Sequence, residues 1–533
     1  MTALRPRALL VPFGYPDYPR EMLQQFTDAS TRTLTGLGMD VPCAPITISE
    51  KDLPVVRAAI RQPEVDLYVL LLLSWVEAPL VIASMREVFG RPLLLWAHMT
   101  FPEGDGEAFL GGTPAVGVVR ETLEEFGVPF KFVYGQPEDV KSLRATSAFA
   151  RAAHAVRQFE QTRIGLFGYA SMGMYTGTFD HIKLRKLLGP EVFHFDQYSL
   201  IRRAESKPLA EAEKSVAERA AGWELTTGLS SKQLAPSWRV YEALKEMAAE
   251  YRLDALTVKC QYEMSREWGL APCLGLSILG DEITSSCEGD LYLVVSQHLL
   301  HCLTGGITAY GDVHRARGSD LVFGACGFAP ISQAAGKPLI RKHTALYEGV
   351  YNASPYKEGT VTLARLANKK DGFKMHATAG RVVEPPKLHE VGCPPYSWIQ
   401  VRIEGPADHF MQNLASQHYA IVYGDCLEEL REFCSLKNIQ FPNPSITTQS
   451  GSPGRVPGYL AGSLRPREAS QFCFGGAIMM VRPGGTGQRF YIAKKQDTAD
   501  WGSKKWLANP SITAAFWRRR VQVATGNNCR PSR

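Results

Sequence analysis

Several common signatures are missing from this chain of 533 residues, and each absence narrows what it can be. No stretch approaches the ~20 apolar residues of a membrane helix; the best run, Leu67 to Val76, is ten residues long. Met1 to Arg7 carries basic side chains, but no long apolar stretch or small-residue cleavage site follows. No export signal is therefore expected, and the cytoplasm is the expected compartment. The eleven cysteines are odd in number, lie scattered in apolar surroundings and include no Cys-x-x-Cys pair. They read as reduced thiols, neither a disulfide framework nor a zinc knuckle. With no Gly-x-Ser-x-Gly elbow, Ser-His-Asp catalysis has no support. The turn Gly168 to Gly173 (GYASMG) sits between a strand and a helix, as a phosphate loop would. It lacks the Gly-Lys-Ser/Thr ending and the Gly-x-Gly-x-x-Gly order, so it reads as a sharp turn presenting backbone to a sugar. No internal repeat stands out.

What remains is an ordinary folded composition, 45% hydrophobic and 21% charged, long enough for two or three domains. The net charge of +6 is concentrated at one end: from Lys494 onward nine Lys or Arg face two acids, leaving the body near neutral. Arg518, Arg519 and Arg520 read as part of a solvated tail, because no nucleic-acid-binding fold accompanies them; neither nucleic acid nor membrane is expected as a partner.

Short apolar runs alternate with helical segments through the first 155 or so residues. Ala8–Pro12, Leu67–Leu73, Pro92–Trp96 and Phe130–Val133 read as strands, apolar on both faces. Arg20–Gly36, Leu53–Arg61 and Ala115–Phe126 read as helices. The pattern restarts after Glu160, with strands at Arg163–Phe167, Val192–Phe195 and Ala255–Val258 and helices at Phe179–Leu188 and Lys232–Tyr251. Past Ile340 the runs become short and β-like: Val361–Leu366, Gly372–Thr378, Ser397–Glu404 and His418–Tyr423, then one helix, Cys426–Leu436. The reading is α/β: two consecutive doubly wound, Rossmann-like domains (1–158 and 159–343), a mostly β domain (344–490) and a basic tail (491–533).

Two acids carry the candidate chemistry. Glu288 in Cys-Glu-Gly-Asp and Asp312 in Ala-Tyr-Gly-Asp bracket a helix pattern, Asp290–Leu303, and a short apolar run, Ile307–Tyr310, that reads as the next strand of a parallel sheet. In such a sheet both acids return to the carboxyl edge, where ligands collect. Two carboxylates converging there suit a metal or acid–base site; glycoside hydrolysis also uses such a pair, but no eight-fold strand–helix pattern supports it. His314, two residues after Asp312, and His418 both offer an imidazole, and spacing alone does not choose between them. Cys287 and Cys326 lie nearby and read as packing residues.

The segments Leu70–Pro79 (LLLLSWVEAP), Gly168–Gly177 (GYASMGMYTG), Val258–Glu263 (VKCQYE), Cys287–Asp290 (CEGD), Tyr310–Asp312 (YGD) and Gln417–Asp425 (QHYAIVYGD) follow one another as in a known family. The chain resembles the L-fucose/L-arabinose isomerases, nearer the fucose branch. The resemblance implies a C-terminal domain that is barrel-like, a divalent metal, Mn²⁺ above others, and Glu288, Asp312 and His418 as its ligands. It further implies Glu288 and Asp312 as the acid–base pair, Trp75, Gln261 and Met174 as substrate contacts, and a homo-oligomer, trimer or hexamer. Its reaction is aldose–ketose isomerisation: a proton moves between C1 and C2 of a free sugar through a metal-stabilised enediolate.

The sugar expected from the resemblance is a 6-deoxyhexose or pentose. The chain departs from the fucose branch in three places that bear on substrate: no arginine in Pro12-Phe13-Gly14-Tyr15, Gln417 before His418 where that branch carries Asn, and a shorter span from Asp312 to His418. An isomerase-derived enzyme on an acidic or sulfonated sugar is the alternative, and a non-catalytic sugar-binding or regulatory protein is a second.

Overall fold

The computed structural model describes residues 5–62, 64–343, 349–385 and 396–442, and three strands beyond them, 471–474, 477–480 and 491–494. Two compact units divide the chain at Ile446/Thr447. Of the second, the described part is an antiparallel sheet of Gln471–Phe474, Ala477–Met480 and Tyr491–Lys494. The basic tail read from 491 onward otherwise lies outside the described residues.

The first unit opens with a parallel sheet of β1 (Ala8–Phe13), β2 (Leu67–Leu72), β3 (Leu93–Ala97) and β4 (Lys131–Tyr134), in that spatial order. β1 and β2 are buried at every position, which is why their sequences are continuous apolar runs rather than alternating ones. The segment 40–47 bridges the other edge of β1 (Arg7 to Asp40, Leu10 to Cys43, Phe13 to Thr47), so the winding direction reverses at β1. The helix α1 (Arg20–Gly36) buries Leu23, Thr27, Ser30 and Leu34, an i, i+4, i+7, i+11 stripe against the sheet.

A second parallel sheet follows: β5 (Arg163–Phe167), β6 (Glu191–Phe195), β7 (Ala255–Val258) and β8 (Thr284–Cys287), in spatial order β8-β7-β5-β6. The chain winds outward from β5 to β6, then crosses back to β7 and β8. The switch lies between β5 and β7, and the loops opening there begin at Gly168, Lys259 and Glu288.

Six antiparallel strands then close a barrel: β9 (Thr308–Arg317), β10 (Asp320–Ala325), β11 (Gly359–Lys369), β12 (Gly372–Val383), β13 (Tyr396–Ile403) and β14 (His418–Tyr423), arranged β9-β10-β13-β12-β11-β14 and back to β9. The fold is thus α/β, with parallel Rossmann-like sheets and a C-terminal closed six-stranded barrel. Between the second sheet and the barrel lies α2 (Leu291–Thr304), buried on nearly every side and packed on β8, β11 and β14. No helix among the described residues is long and apolar enough to cross a membrane.

One expectation needs correcting. The run Ile307–Tyr310 is not a parallel strand beside β8 but the start of β9, antiparallel to β14 in the barrel. An apolar run of four residues has the same composition in either setting. Its polar continuation, Asp312 to Arg317, is what marks a barrel strand with one face toward water.

Candidate metal centre

Glu288 and Asp312 do meet, but from opposite sides of a domain junction. Glu288 comes from the carboxyl end of β8; Asp312 comes from β9, where its cross-strand partner is His418 at the start of β14. That register explains the pairing: residues directly opposite on antiparallel strands hold their Cβ atoms about 5 Å apart. One ligand atom from each of Glu288, Asp312 and His418 lies within 4.8 Å of the others. His418 Nε2 is 3.3 Å from Glu288 Oε2 and 3.2 Å from Asp312 Oδ1.

His314 goes elsewhere. A bulge between Val313 and Arg315 breaks the β9 ladder at this residue, leaving it exposed with its ring against Trp398 at 5.5 Å.

The backbone that presents Glu288 is unusual. Glu288 has φ 70° and Gly289 φ 63°, so two consecutive residues occupy the left-handed region. For a non-glycine residue this is sparsely populated and costs roughly 1–3 kcal/mol. Gly289 is required by space as well, since a Cβ there would stand 2.1 Å from the Tyr169 carbonyl oxygen. The Ser171 N–H donates to the Glu288 carbonyl at 2.8 Å, so the Gly168 loop is clamped onto this turn. Asp290 then caps α2, accepting from the Leu293 N–H at 3.1 Å.

Asp290 has a larger role than a cap, and the sequence reading passed over it. Its Oδ2 accepts from His418 Nδ1 at 2.9 Å, and both its oxygens accept from Arg365 of β11, at 2.7 and 3.0 Å. All three side chains are buried. Burial opposes the charge on Asp290, but Arg365, then His418, hold its carboxyl down at about 2. An ionised Asp290 only accepts, so the proton of His418 sits on Nδ1 and Nε2 turns a lone pair to the two other acids.

That Nε2 is buried and has no hydrogen-bond partner. A lone pair facing two carboxylate oxygens is satisfied by a cation, either a proton on Nε2 or a metal ion among the three groups. Burial disfavours the protonated ring, yet Asp290, Asp312 and Glu288 together raise His418 well above the usual histidine range. Burial, then Cys326, pushes Glu288 up to about 8 against the pull of His418. Both shifts describe negative charge gathered without enough positive charge to balance it. An imidazole nitrogen 3.2–3.3 Å from two carboxylates, with the three ligand atoms all within 4.8 Å, suits a divalent cation, because ligands about 2.1 Å from one ion lie ~3–4 Å from each other.

Gln261 is buried beside the centre, with Nε2 3.9 Å from Cys326 Sγ. Met174 is one residue removed: its sulfur accepts from Gln417 Nε2 at 2.7 Å, next to His418. Trp75 stands beyond β2 on the first sheet, 36% exposed, and no hydrogen bond joins it to the trio among the described residues. Tyr310, Cys260 and Lys259 also border the site. Tyr310 stacks its ring edge on His418 at 5.3 Å. Lys259 pairs with Glu263 at 2.6 Å and lies over the Tyr169 ring.

Fold and ligand set together define a protein able to hold a divalent cation where a Rossmann-like sheet meets a β-barrel. No family model matches the chain. It is similar to the sulfoquinovose isomerase of Alkalicoccus urumqiensis, 26% identical over 374 residues, or 66% of this chain and 80% of that protein. The sulfoquinovose isomerase of Priestia megaterium is 22% identical over 452 residues (81% and 98%), and that of a Clostridium species 23% over 463 (81% and 97%). The chain is an isomerase-like protein related to the sugar isomerases, and the likeness does not single out the fucose/arabinose branch.

Proposed function

We propose that the protein is a divalent-metal-dependent aldose–ketose isomerase, and that its substrate is an acidic sugar of the sulfonated kind rather than a 6-deoxyhexose or pentose. The observation that carries the reaction is the meeting of Glu288, Asp312 and the partnerless Nε2 of His418. The observation that favours a sulfonated sugar is the name shared by the relatives, sulfoquinovose isomerase.

Glu288, Asp312 and His418 would hold the cation, Mn²⁺ by the hardness of the two carboxylate donors. Bound there, it supplies positive charge to the substrate oxygens at C1 and C2. Asp290 keeps the imidazole oriented and Nδ1 protonated. Glu288, sealed from water, and Asp312, with its side chain 26% exposed, are the two groups able to move protons. One takes the proton from carbon and the other passes the hydroxyl proton between the oxygens. Gln261, Met174 and Trp75 are proposed as contacts for the rest of the sugar, and a trimer or hexamer as the assembly.

The test strips the protein with chelator, restores Mn²⁺, and follows ketose formation from sulfoquinovose, hexuronates, 6-deoxyhexoses and aldopentoses. Metal-dependent turnover of the sulfonated sugar, lost in Glu288→Gln, is expected. Preference for a 6-deoxyhexose would overturn the substrate. Metal binding without turnover of any sugar would favour a binding protein, and no metal binding at all would sink the site.

A further inference from the structure

Glu288 has two oxygens, and only Oε2 faces His418. Its Oε1 faces the other way and accepts from the Cys326 thiol at 3.2 Å. The sulfur of Cys287 completes a second cluster, in which one ligand atom from each of Cys287, Glu288 and Cys326 lies within 4.8 Å of the others. Cys260 lies close enough to both thiols to interact with each. The three cysteines come from the ends of β7, β8 and β10, far apart in sequence, and all are free thiols. Cys260 and Cys287 are buried, while Cys326 is partly exposed and gives the cluster an opening. Simple packing explains the buried pair but not the thiol aimed at the carboxylate of the neighbouring centre.

We propose that Cys287, Cys326 and Glu288, with Cys260 at a fourth position, form a thiophilic metal site that takes Zn²⁺ or Cd²⁺ and shares Glu288 with the harder trio. The donor sets differ in kind: two or three sulfurs and one carboxylate select soft d¹⁰ ions, whereas two carboxylates and one imidazole suit Mn²⁺. Ligands at about 2.3 Å in a tetrahedron sit ~3.7 Å apart, so the observed spacing closes with small side-chain movements. Each thiol that ligates gives its proton to solvent, and no electron moves. Tyr310, whose hydroxyl is 2.7 Å from Cys287 Sγ, is placed to donate to the thiolate that forms. A soft ion held there draws on Glu288 and sets a second positive charge beside the first, so it inhibits. This inhibition rests on the isomerase reading; the binding does not.

The test uses the full-length, reduced, chelator-stripped protein and Cd²⁺ alone, read by the ultraviolet thiolate-to-cadmium charge-transfer band. About one Cd²⁺ per chain should give the band, by the ligand count. Cys326→Ser and Cys287→Ser should each lose most of it, Cys43→Ser should keep it, and Asp312→Asn, which breaks only the harder trio, should keep it too. Cys326→Ser, at the partly exposed position, serves if the buried variant does not fold. No band in the folded wild type, or a full band in both site variants, overturns the proposal. Stoichiometric Cd²⁺ should also inhibit Mn²⁺-dependent turnover, reversibly by added dithiol, with Cys326→Ser at least ~10-fold less sensitive as expected for a lost thiolate ligand. Cd²⁺ that binds without inhibiting overturns the shared carboxylate. A band in a protein that turns over no sugar removes the isomerase reading and leaves the site standing.

Discussion

The two parallel sheets share a winding pattern, yet their carboxyl edges are chemically opposite. A buried histidine lies near each edge. His98, just past β3, is 1% exposed, with Nε2 3.0 Å from the Ser30 hydroxyl, which itself donates to the Phe26 carbonyl. Burial lowers His98 to about 4, so it is neutral. His418 is equally buried and is pushed the other way, because three carboxylates surround it. Burial alone therefore does not set a histidine's charge; the company at the sheet edge does. The first edge ends in Leu73, Ser74 and a partly exposed Trp75. The second ends in Lys259, Cys260 and Glu288 and is closed by a barrel bringing Asp312 and His418. The same frame gathers buried carboxylates and an imidazole at one edge and largely apolar side chains at the other.

The contrast can be broken most sharply at Glu288. Glu288→Gln keeps the shape and removes the charge, and turnover should fall by at least ~10³-fold, whereas Trp75→Ala should act mainly on KM, by a few fold. If steady-state kinetics show comparable losses in kcat, the division between the two edges is wrong.

Asp290→Ala ranks next. It strands Arg365 and His418 as buried partners, so a loss of about 3–5 kcal/mol in stability is expected, together with ~10–100-fold weaker metal binding. Calorimetry on the apo and metal-loaded protein separates the two; an unchanged metal affinity would mean that Asp290 does not orient His418.

Glycine at each edge gives a finer comparison. Gly289→Ala drives a Cβ into the Tyr169 carbonyl at 2.1 Å, while at Gly111, beside Trp75, the nearest contact is 3.2 Å. Both have positive φ. Gly289→Ala should cost about 3 kcal/mol and Gly111→Ala ~1 kcal/mol, read as the order of their melting temperatures. Equal melting temperatures would show that the second turn relaxes freely.

The smallest effect is a pH dependence. His98 titrates near 6.5 when unfolded and at about 4 when folded, so below pH 6.5 the unfolded chain binds the extra proton. The stability it contributes is complete above that value and is lost as pH falls toward 4, by roughly 1 kcal/mol at about pH 5.5. Melting curves of His98→Gln should be flatter than wild type across this window; parallel curves would remove His98 as the cause.

Much of the frame was readable from residue order. The strands Arg163–Phe167, Ala255–Val258 and His418–Tyr423 and the helix Arg20–Gly36 have the bounds that apolar periodicity suggests. The approach of Glu288 to Asp312 was inferred through a parallel return that does not exist; β9 reaches the same place as a barrel strand. β10 was missed because Asp320–Ala325 opens on an acid and follows a run of charged and exposed residues. Asp290 was visible as a helix start, but its bonds to His418 and Arg365 span 128 and 75 positions, and no local pattern encodes them. The thiol cluster is hidden in the same way. Cys260 and Cys287 lie at the ends of adjacent strands of the second sheet, and Cys326 joins them only when the barrel docks.

Asp290 joins the start of α2, the imidazole of β14 and the guanidinium of β11 at one point. A chain that has not assembled its site has therefore not finished docking its barrel, and a defect in either shows up as a defect in both. Substitution has little freedom at that knot without loss of the fold. It has much more at the first sheet's edge, where Trp75 and its neighbours answer to no buried charge. Under the proposed function, selection for a new sugar should work there first and leave the residues around Asp290 in place.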